Sequence, residues 1–313
     1  MLPRALMFTP EYRDYVWGGQ RLRPGTLTAE AWVVFENDRI ASGPLAGQTL
    51  GEVTAQFGEE LLGKTVMERR GLRFPLLIKL LDCNQWLSLQ VHPNDQQAAE
   101  LEGPDQNGKT EAWYFLEAAP EAKIIAGLKP GTTMEAMTKA IREGTILDLA
   151  NFIEMKGGET VFMRAGTIHA LGPGLMVYEV QESSDFTYRV FDWNRPQIKG
   201  RVLHIDKSLA VANPAVNSQA LPTPVLADGQ CEVLCQSEYF NLEILNAQKK
   251  TLELDTRGET FHALTIIEGA ARFSSGDEQL PLNRFETLLV PAATGAYRLE
   301  PEKGGFRALK SSL

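Results

Sequence analysis

A series of short apolar runs follows one another along the chain, each bounded by Gly, Pro, Asn or Asp. Examples are FPLLIKLLD, WLSLQVH, EAWYFLEA, LMVYEVQE and ETLLVPA. Runs of this length, rich in β-branched and aromatic residues and separated by turn residues, are typical of strands in an antiparallel sandwich or barrel. The pattern therefore predicts an all-β fold.

Helical periodicity is confined to a few inserts. The clearest is TTMEAMTKAIREG, where the spacing from Thr132 to Glu135 predicts a capping box and Gly144 predicts the end of the helix. A second candidate is TLGEVTAQFGEELLG, nearer the N-terminus. We therefore predict a small helical insert around residues 130–152 in a chain of strands.

Two pairs of segments indicate an internal repeat. TEAWYFLEAAPEA at 110–122 resembles TFHALTIIEGAAR at 260–272, and ETVFMRAGTIHAL at 159–171 resembles ETLLVPAATGAYRL at 286–299. Two copies of one β unit explain both similarities.

The boundary between the copies is predicted from composition. The Pro- and Ala-rich stretch at 213–229 resembles a linker. We therefore predict a first domain over residues 1–215, which contains the helical insert, and a second domain over residues 216–313.

Composition and charge restrict the function. The 313 residues are 43% hydrophobic and carry a formal net charge of −9, which is typical of a globular protein and disfavours nucleic acid as a partner. An anionic substrate would need a local basic cluster.

Neither a signal peptide nor an apolar run of membrane-spanning length is recognisable, and the few cysteines suggest free thiols. We expect a cytoplasmic protein that does not bind a membrane.

The stretch GPDQNGKT matches the phosphate-loop pattern at Gly103, Gly108, Lys109 and Thr110. A phosphate loop connects a strand to a helix, whereas here a helix-like segment precedes the glycines and the strand-like EAWYFLEA follows them. The motif matches while its structural context does not, so we reject the nucleotide-binding interpretation.

The segment LSLQVHPND predicts a face with chemical function. Alternation along a strand places Ser88, Gln90 and His92 on one side and the leucines and the valine on the other. With Glu111 and His169 from other strands, the inner face of one barrel would present two imidazoles, a carboxylate and an amide. Such a set suits a divalent metal ion with an open coordination position, and zinc, iron, manganese and nickel remain alternatives.

The second repeat lacks the full ligand set, because Ala296 takes the place of His169. His262, which corresponds to Glu111, is interpreted as a core residue, and His204 as structural. We therefore predict one metal-binding barrel and one metal-free barrel.

The segment GGETVFMRAGTIHALG resembles the second cupin motif, with Gly158, Gly166 and His169 in place and Arg164 where the family usually has proline. More closely, the chain resembles type I mannose-6-phosphate isomerases of the shorter bacterial kind. The matching stretches are YVWGGQRL, FPLLIKLLDCNQWLSLQVHPND, GKTEAWY and RAGTIHALGPGLMVYEVQESSDFTYRVFDWNR.

The resemblance implies two cupin-type jelly-roll barrels and the interconversion of mannose 6-phosphate and fructose 6-phosphate through an enediol-type intermediate. It implies one Zn²⁺ per chain, held by Gln90, His92, Glu111 and His169. It also places the catalytic arginine at Arg189.

Further candidate residues follow from charge and burial. Lys79 lies in the apolar run LLIKLL, where an ammonium group requires a partner or a polar cavity. The resemblance favours a substrate contact for Lys109, and these two lysines with Arg189 would form the basic cluster that a sugar phosphate needs.

An extended YEVQESSDFTYR segment would align several polar residues with Arg189, whereas a turn near Ser183 and Ser184 would break that register. Glu179 is a candidate general base and Asp185 competes with it, and we predict that Ser88 and Asp185 contact the substrate. The aligned side chains would be Glu179, Gln181, Ser183, Asp185 and Arg189.

Two other functions remain open at this level. An Fe(II)-dependent cupin oxygenase would use the same kind of ligands but would not need the basic cluster. A non-catalytic sugar-binding cupin would keep the fold without turnover.

Overall fold

Strands dominate the computed structural model, which describes residues 1–196 and 200–313. The strands of the first part of the chain are β1 (Leu6–Thr9), β2 (Glu11–Arg13), β3 (Glu30–Val34), β4 (Arg39–Ile40), β5 (Leu76–Cys83), β6 (Leu89–Val91), β7 (Glu111–Ala118), β8 (Lys123–Leu128), β9 (Ala150–Glu154), β10 (Glu159–Met163), β11 (His169–Leu171), β12 (Leu175–Glu182) and β13 (Tyr188–Phe191). The remaining strands are β14 (Ala220–Pro222), β15 (Gln230–Gln236), β16 (Asn241–Ala247), β17 (Leu252–Asp255), β18 (His262–Ser275), β19 (Glu278–Asn283), β20 (Thr287–Val290) and β21 (Ala296–Ser312).

The helices are short. They are α1 (Leu50–Phe57), α2 (Glu59–Leu62), α3 (Lys64–Arg70), α4 (Asp95–Glu102), α5 (Met134–Glu143) and α6 (Ile205–Val211), with 3₁₀ turns at Ile146–Leu149 and Ala292–Thr294. The mainly β fold is confirmed, and α1, α2 and α5 confirm the two predicted helical segments. Helices α3 and α6 were not predicted. None of the helices in the described ranges has the length and apolar character that a membrane span requires.

The strands form three sheets. The orders are β15-β16-β21-β18-β20-β1-β4, with β17 on β21 and β19 on β18; β14-β10-β7-β12-β5-β3-β2; and β13-β6-β11-β8-β9. In the repeated segments, β7 pairs with β10 as β18 pairs with β20, both antiparallel. The division into two jelly-roll barrels stays a prediction.

The chain divides into two compact units. One comprises residues 1–11, 32–79 and 223–313, and the other comprises 12–31 and 80–222. One dividing point falls inside the linker-like stretch 213–229. Two N-terminal segments group with the C-terminal part of the chain, so these units differ in membership from the predicted domains 1–215 and 216–313, which stay a prediction.

Each unit has its own apolar core. The unit formed by residues 12–31 and 80–222 is filled by a cluster that includes Trp17, Trp113 and Val177. The other unit is filled by a cluster that includes Leu264 and Phe273. Trp113, Val177, Leu264 and Phe273 lie on strands, where they alternate with residues of the opposite face as period-two patterning predicts.

Two local predictions need correction. Helix α5 is capped by Thr133, whose hydroxyl accepts a hydrogen bond from the Ala136 backbone N–H, and the Thr132 hydroxyl instead donates to the Lys129 carbonyl. The alignment of residues 179–189 on one extended face also does not form, because the chain turns near Ser183 and Ser184, which is the alternative left open by the sequence. Strand β12 ends at Glu182 and β13 begins at Tyr188, so the side chains between them do not follow one alternating face.

The phosphate-loop match lies where a helix passes into a strand. Gly103 ends α4 and Glu111 begins β7, which confirms that the strand-to-helix order of a phosphate loop is absent from this described segment. Gly108 is needed for packing, since a Cβ atom there would lie 2.4 Å from the Asn94 carbonyl carbon.

Candidate metal centre

One row of side chains crosses the sheet that contains β13, β6 and β11. Gln90 of β6 is directly opposite His169 of β11 on one side and Arg189 of β13 on the other. Residues directly opposite each other in neighbouring strands present their side chains on the same face. The sheet therefore places an imidazole, an amide and a guanidinium group side by side.

A second sheet of the same unit contributes the carboxylate. Glu111 begins β7 and is opposite Gln181 of β12. Its Oε1 lies 3.2 Å from His169 Nε2, and its Oε2 lies 3.7 Å from His92 Nε2. The potential ligand atoms of His92, Glu111 and His169 all lie within 4.8 Å of one another, and no other such group occurs in residues 1–196 and 200–313.

Backbone carbonyls orient both imidazole rings. His92 Nδ1 lies 2.7 Å from the Phe186 carbonyl oxygen, and His169 Nδ1 lies 2.8 Å from the Thr167 carbonyl oxygen. Because a carbonyl only accepts hydrogen bonds, each Nδ1 must carry the proton. In the neutral ring, Nε2 then carries the lone pair and faces Glu111, which is the tautomer that a metal ligand requires.

The turn before β11 supplies the Thr167 carbonyl that contacts His169 Nδ1. Gly166 has φ +82°, a left-handed conformation that glycine adopts without strain, and the chain then passes through Thr167 into His169. In the cupin-like motif, Gly166 thus permits the turn, and His169 contributes its imidazole to the cluster.

The cluster fits a divalent cation. His92, Glu111 and His169 are each at most 1% exposed. His92 Nε2 and Glu111 Oε1 are buried without a hydrogen-bond partner in the described part of the chain, and Glu111 Oε2 has an ion pair with the Lys109 ammonium. Buried polar atoms normally have partners, and two imidazoles with one carboxylate form a donor set suited to zinc or another transition metal.

Gln90 lies at the edge of this cluster. Its amide nitrogen is 3.3 Å from His169 Nε2, so the amide group reaches the same focus. The oxygen would have to face the cation for Gln90 to serve as a ligand.

Charges around the cluster favour the deprotonated state of its ligands. Burial raises the pKa of Glu111, but the positive charge of the Lys109 ammonium, 3.1 Å from Oε2, opposes burial, and the pKa lies well below its usual range. Burial and the charge of Lys109 also lower the pKa of His92 well below that of a free imidazole. A carboxylate and neutral imidazoles are the forms that bind metal.

Glu179, the candidate general base, lies on the face of the sheet that carries Glu111. Glu179 is buried, and its Oε2 accepts a hydrogen bond of 2.9 Å from Trp113 Nε1. Glu179 is opposite Trp113 as Gln181 is opposite Glu111, so these four side chains share one face. Trp113 is therefore both a core residue and a hydrogen-bond donor at the site.

Arg189 is half-buried and held by the segment that follows β13. Its Nη1 donates to the Val202 carbonyl at 3.1 Å, and its backbone N–H donates to His204 Nδ1 at 3.2 Å. Burial, together with the nearby Arg201 cation, lowers the pKa of Arg189 from its ordinary value. The structural role predicted for His204 agrees with these contacts.

The structure does not bring the remaining predicted residues to the cluster through a described contact. Ser88 is buried next to β6, and Asp185 is exposed between β12 and β13. Lys79 is buried in β5, with its ammonium 5.1 Å from the centroid of the Trp32 ring. A cation over an indole ring is a stable arrangement, so Lys79 has the partner that its burial requires.

Sequence patterns did not reveal the groups that orient the ligands. The carbonyls of Phe186 and Thr167 have no signature in side-chain identity, because every residue carries one. Gln181 was noted only as one residue of an extended polar face. Its proximity to Glu111 follows from strand register, which a single sequence does not supply.

The chain is similar to known proteins over nearly its whole length. The family model described as "Phosphomannose isomerase type I, catalytic domain" matches residues 6–115. Mannose-6-phosphate isomerase ManA of Bacillus subtilis is 31% identical over 96% of this chain and 97% of its own length. Mannose-6-phosphate isomerase of Streptococcus mutans is 32% identical over 96% of each chain. The crystal structure of mannose 6-phosphate isomerase from Bacillus subtilis matches with a TM-score of 0.87 at 30% identity, covering 99% of this chain and 100% of the other.

Proposed function

Because the chain belongs to the type I phosphomannose isomerase family, we propose that it interconverts mannose 6-phosphate and fructose 6-phosphate at a divalent metal site. The convergence of His92, Glu111 and His169, with both Nε2 atoms directed at the carboxylate, is the observation that carries the proposal. Zn²⁺, one per chain, is the proposed ion, and Gln90 is the proposed fourth ligand.

The reaction moves a proton between C2 and C1 of the open-chain sugar through an enediol-type intermediate. A divalent ion held by these residues would supply Lewis-acid stabilisation of negative charge on the sugar oxygens. His92 and His169 keep their rings fixed by backbone carbonyls, so little reorganisation of the ligands is needed when the ion binds.

Glu179 is the proposed general base. Its carboxylate is fixed by the indole N–H of Trp113 and shares a face with Glu111. A carboxylate that is held at one oxygen can take a proton from one carbon and return it to the next without leaving the site.

Arg189 and Lys109 are the proposed cationic groups. Arg189 follows Gln90 and His169 in one row across the sheet, so its guanidinium group can donate paired hydrogen bonds to an enediolate or a phosphate. Lys109 contacts Glu111 in the structure, which holds its ammonium group beside the position proposed for the substrate. Ser88, Lys79 and Asp185 stay predicted substrate contacts.

A cytoplasmic location is part of the proposal. The cysteines Cys83, Cys231 and Cys235 are free, which suits a reducing compartment. Phosphorylated sugars are anions that do not cross membranes unaided, so the proposed substrate would be met inside the cell.

The test is an assay of the purified protein with mannose 6-phosphate in which fructose 6-phosphate formation is followed. We expect turnover that is lost on chelation and restored by zinc. Oxygen consumption without isomerisation would instead favour the Fe(II) oxygenase alternative, and binding without turnover would favour a sugar-binding protein. Turnover that is insensitive to chelation would contradict the metal site.

A further inference from the structure

Gln181 is fully buried beside the candidate metal centre and is not one of its proposed ligands. It lies on β12 directly opposite Glu111 of β7, so the two side chains share one face of the sheet. A buried amide costs free energy unless its hydrogen-bonding capacity is used. The partners of this amide therefore indicate what it does.

The amide nitrogen of Gln181 holds the end of β12. Nε2 donates to the Glu182 carbonyl at 2.9 Å and to the Ser184 carbonyl at 2.5 Å. Because both partners can only accept, the nitrogen must lie on this side, and the orientation of the amide is fixed. The Ser184 backbone N–H also bonds to the Glu182 carbonyl at 2.7 Å. The chain therefore bends sharply after Glu182.

The bend is also held from the segment that carries Lys109. The Thr110 backbone N–H donates to Glu182 Oε1 at 2.9 Å, and the Glu182 backbone N–H donates to the Thr110 carbonyl at 3.2 Å. Asn107 Nδ2 donates to the Ser183 carbonyl at 3.4 Å. Gln181 is thus the side chain that connects this bend to the face where Glu111 lies.

The bend leads directly to the group that orients His92. Two residues after Ser184, the Phe186 carbonyl accepts the hydrogen bond from His92 Nδ1 at 2.7 Å. Phe186 lies outside any strand or helix. Its carbonyl direction therefore depends on how the chain leaves β12, and the two bonds from Gln181 contribute to holding that bend.

We propose that Gln181 is a positioning residue for the metal centre, which fixes the bend after β12 so that the Phe186 carbonyl holds His92 with Nε2 toward the metal. The inference rests on the proposed metal site and deepens it. Outer partners of metal-ligating histidines typically change metal affinity by about 10- to 100-fold when they are removed. Gln181 acts one step further out, through the carbonyl.

The test compares Gln181→Met with Asn246→Leu in the full-length protein. Methionine keeps the size of glutamine and removes both donors. Asn246 is a matched control, since its Nδ2 also bonds two backbone carbonyls, those of Leu226 and Ala227 at 3.3 and 3.0 Å, in the unit without the metal cluster. Zinc affinity is measured by competition with a chromophoric chelator. The tautomer of His92 is read from ¹⁵N NMR of the zinc-free protein, which has only four histidines.

We expect Gln181→Met to weaken zinc binding by about 10-fold or more and to convert His92 from one tautomer to a mixture, while Asn246→Leu changes neither. Wild-type zinc affinity in a folded Gln181→Met protein would overturn the inference, and so would weaker binding with the tautomer of His92 unchanged. If Gln181→Met does not fold, Gln181→Leu, which also lacks the donors and adds no charge, is judged by the same two readouts. Failure of wild type to bind zinc would instead overturn the proposed function.

Discussion

At the scale of single residues, the candidate site is buried and contains opposite charges on Lys109 and Glu111. With both imidazoles neutral, Lys109 and Glu111 cancel, and the cluster has no formal net charge. A divalent ion would add two positive charges, and Arg189 adds another nearby. A phosphate dianion would then be attracted to this position although the chain as a whole carries −9.

The proposed ligands and the proposed catalytic arginine are expected to respond differently to substitution. His169→Ala removes one of three converging donors, so we expect loss of both bound metal and activity. Arg189→Ala leaves all three donors in place, so we expect normal metal content with kcat/KM lowered by about 100-fold or more, as when a charge-stabilising donor is removed. Metal analysis and steady-state kinetics on the same preparations measure both effects. Metal loss in Arg189→Ala would show that its role is wrongly assigned.

At the scale of strands and helices, the two repeated segments share one pairing register and differ in the side chains at equivalent positions. Glu111 is opposite Met163 in the first copy, and His262 is opposite Val290 in the second. The place of Glu111 is therefore taken by His262, whose Nδ1 lies 2.7 Å from the Tyr297 hydroxyl. In the second copy, His262 and Tyr297 form a hydrogen bond with each other. In the first copy, the potential ligand atoms of His92, Glu111 and His169 converge in an arrangement that could hold a cation.

Helix α5 offers a test of the corrected cap. Thr133→Ala removes the side chain that accepts from the Ala136 N–H, so we expect a loss of about 1 kcal/mol in the free energy of unfolding. Glu135→Gln removes only the charge in the first turn, and we expect a loss below about 0.5 kcal/mol. Urea denaturation of both variants measures the difference. Unchanged stability of Thr133→Ala would contradict the assignment of Thr133 as the cap.

At the scale of the whole molecule, the fold was predictable in its class and its repeat, because strand alternation and turn residues are local properties. The grouping of residues 32–79 with the C-terminal part of the chain was not predictable, because it depends on contacts between residues far apart in sequence. The same limit applies to the site. The grouping of His92, Glu111 and His169 could be inferred from the sequence, whereas the carbonyls that orient the rings depend on bends such as the one after β12.

The pH dependence of folding tests the interior of the second copy. Burial, and then the charge of Lys310, lower the pKa of His262 to about 3, whereas an unfolded histidine has a pKa of about 6.5. As pH falls below 6.5 the unfolded chain takes up a proton that the folded chain does not, so stability decreases down to about pH 3. At pH 5 the expected loss from this residue is about 2 kcal/mol.

The measurement compares denaturant unfolding of wild type and His262→Gln between pH 7.5 and pH 5. Glutamine does not titrate, so we expect the variant to lose about 2 kcal/mol less than wild type across this range. Tyr297→Phe is the control: it removes the hydrogen bond to His262 and is expected to lower stability by about 1 kcal/mol at neutral pH without removing the titrating group. Parallel curves for wild type and His262→Gln would contradict a buried neutral His262.

The most direct test of the account is an anomalous difference map at the zinc edge from crystals grown with zinc. We expect the strongest peak about 2.0–2.1 Å from Nε2 of both His92 and His169 and about 2.0–2.2 Å from a carboxylate oxygen of Glu111. A zinc ion bound elsewhere in the chain, with these three side chains left uncoordinated, would contradict it.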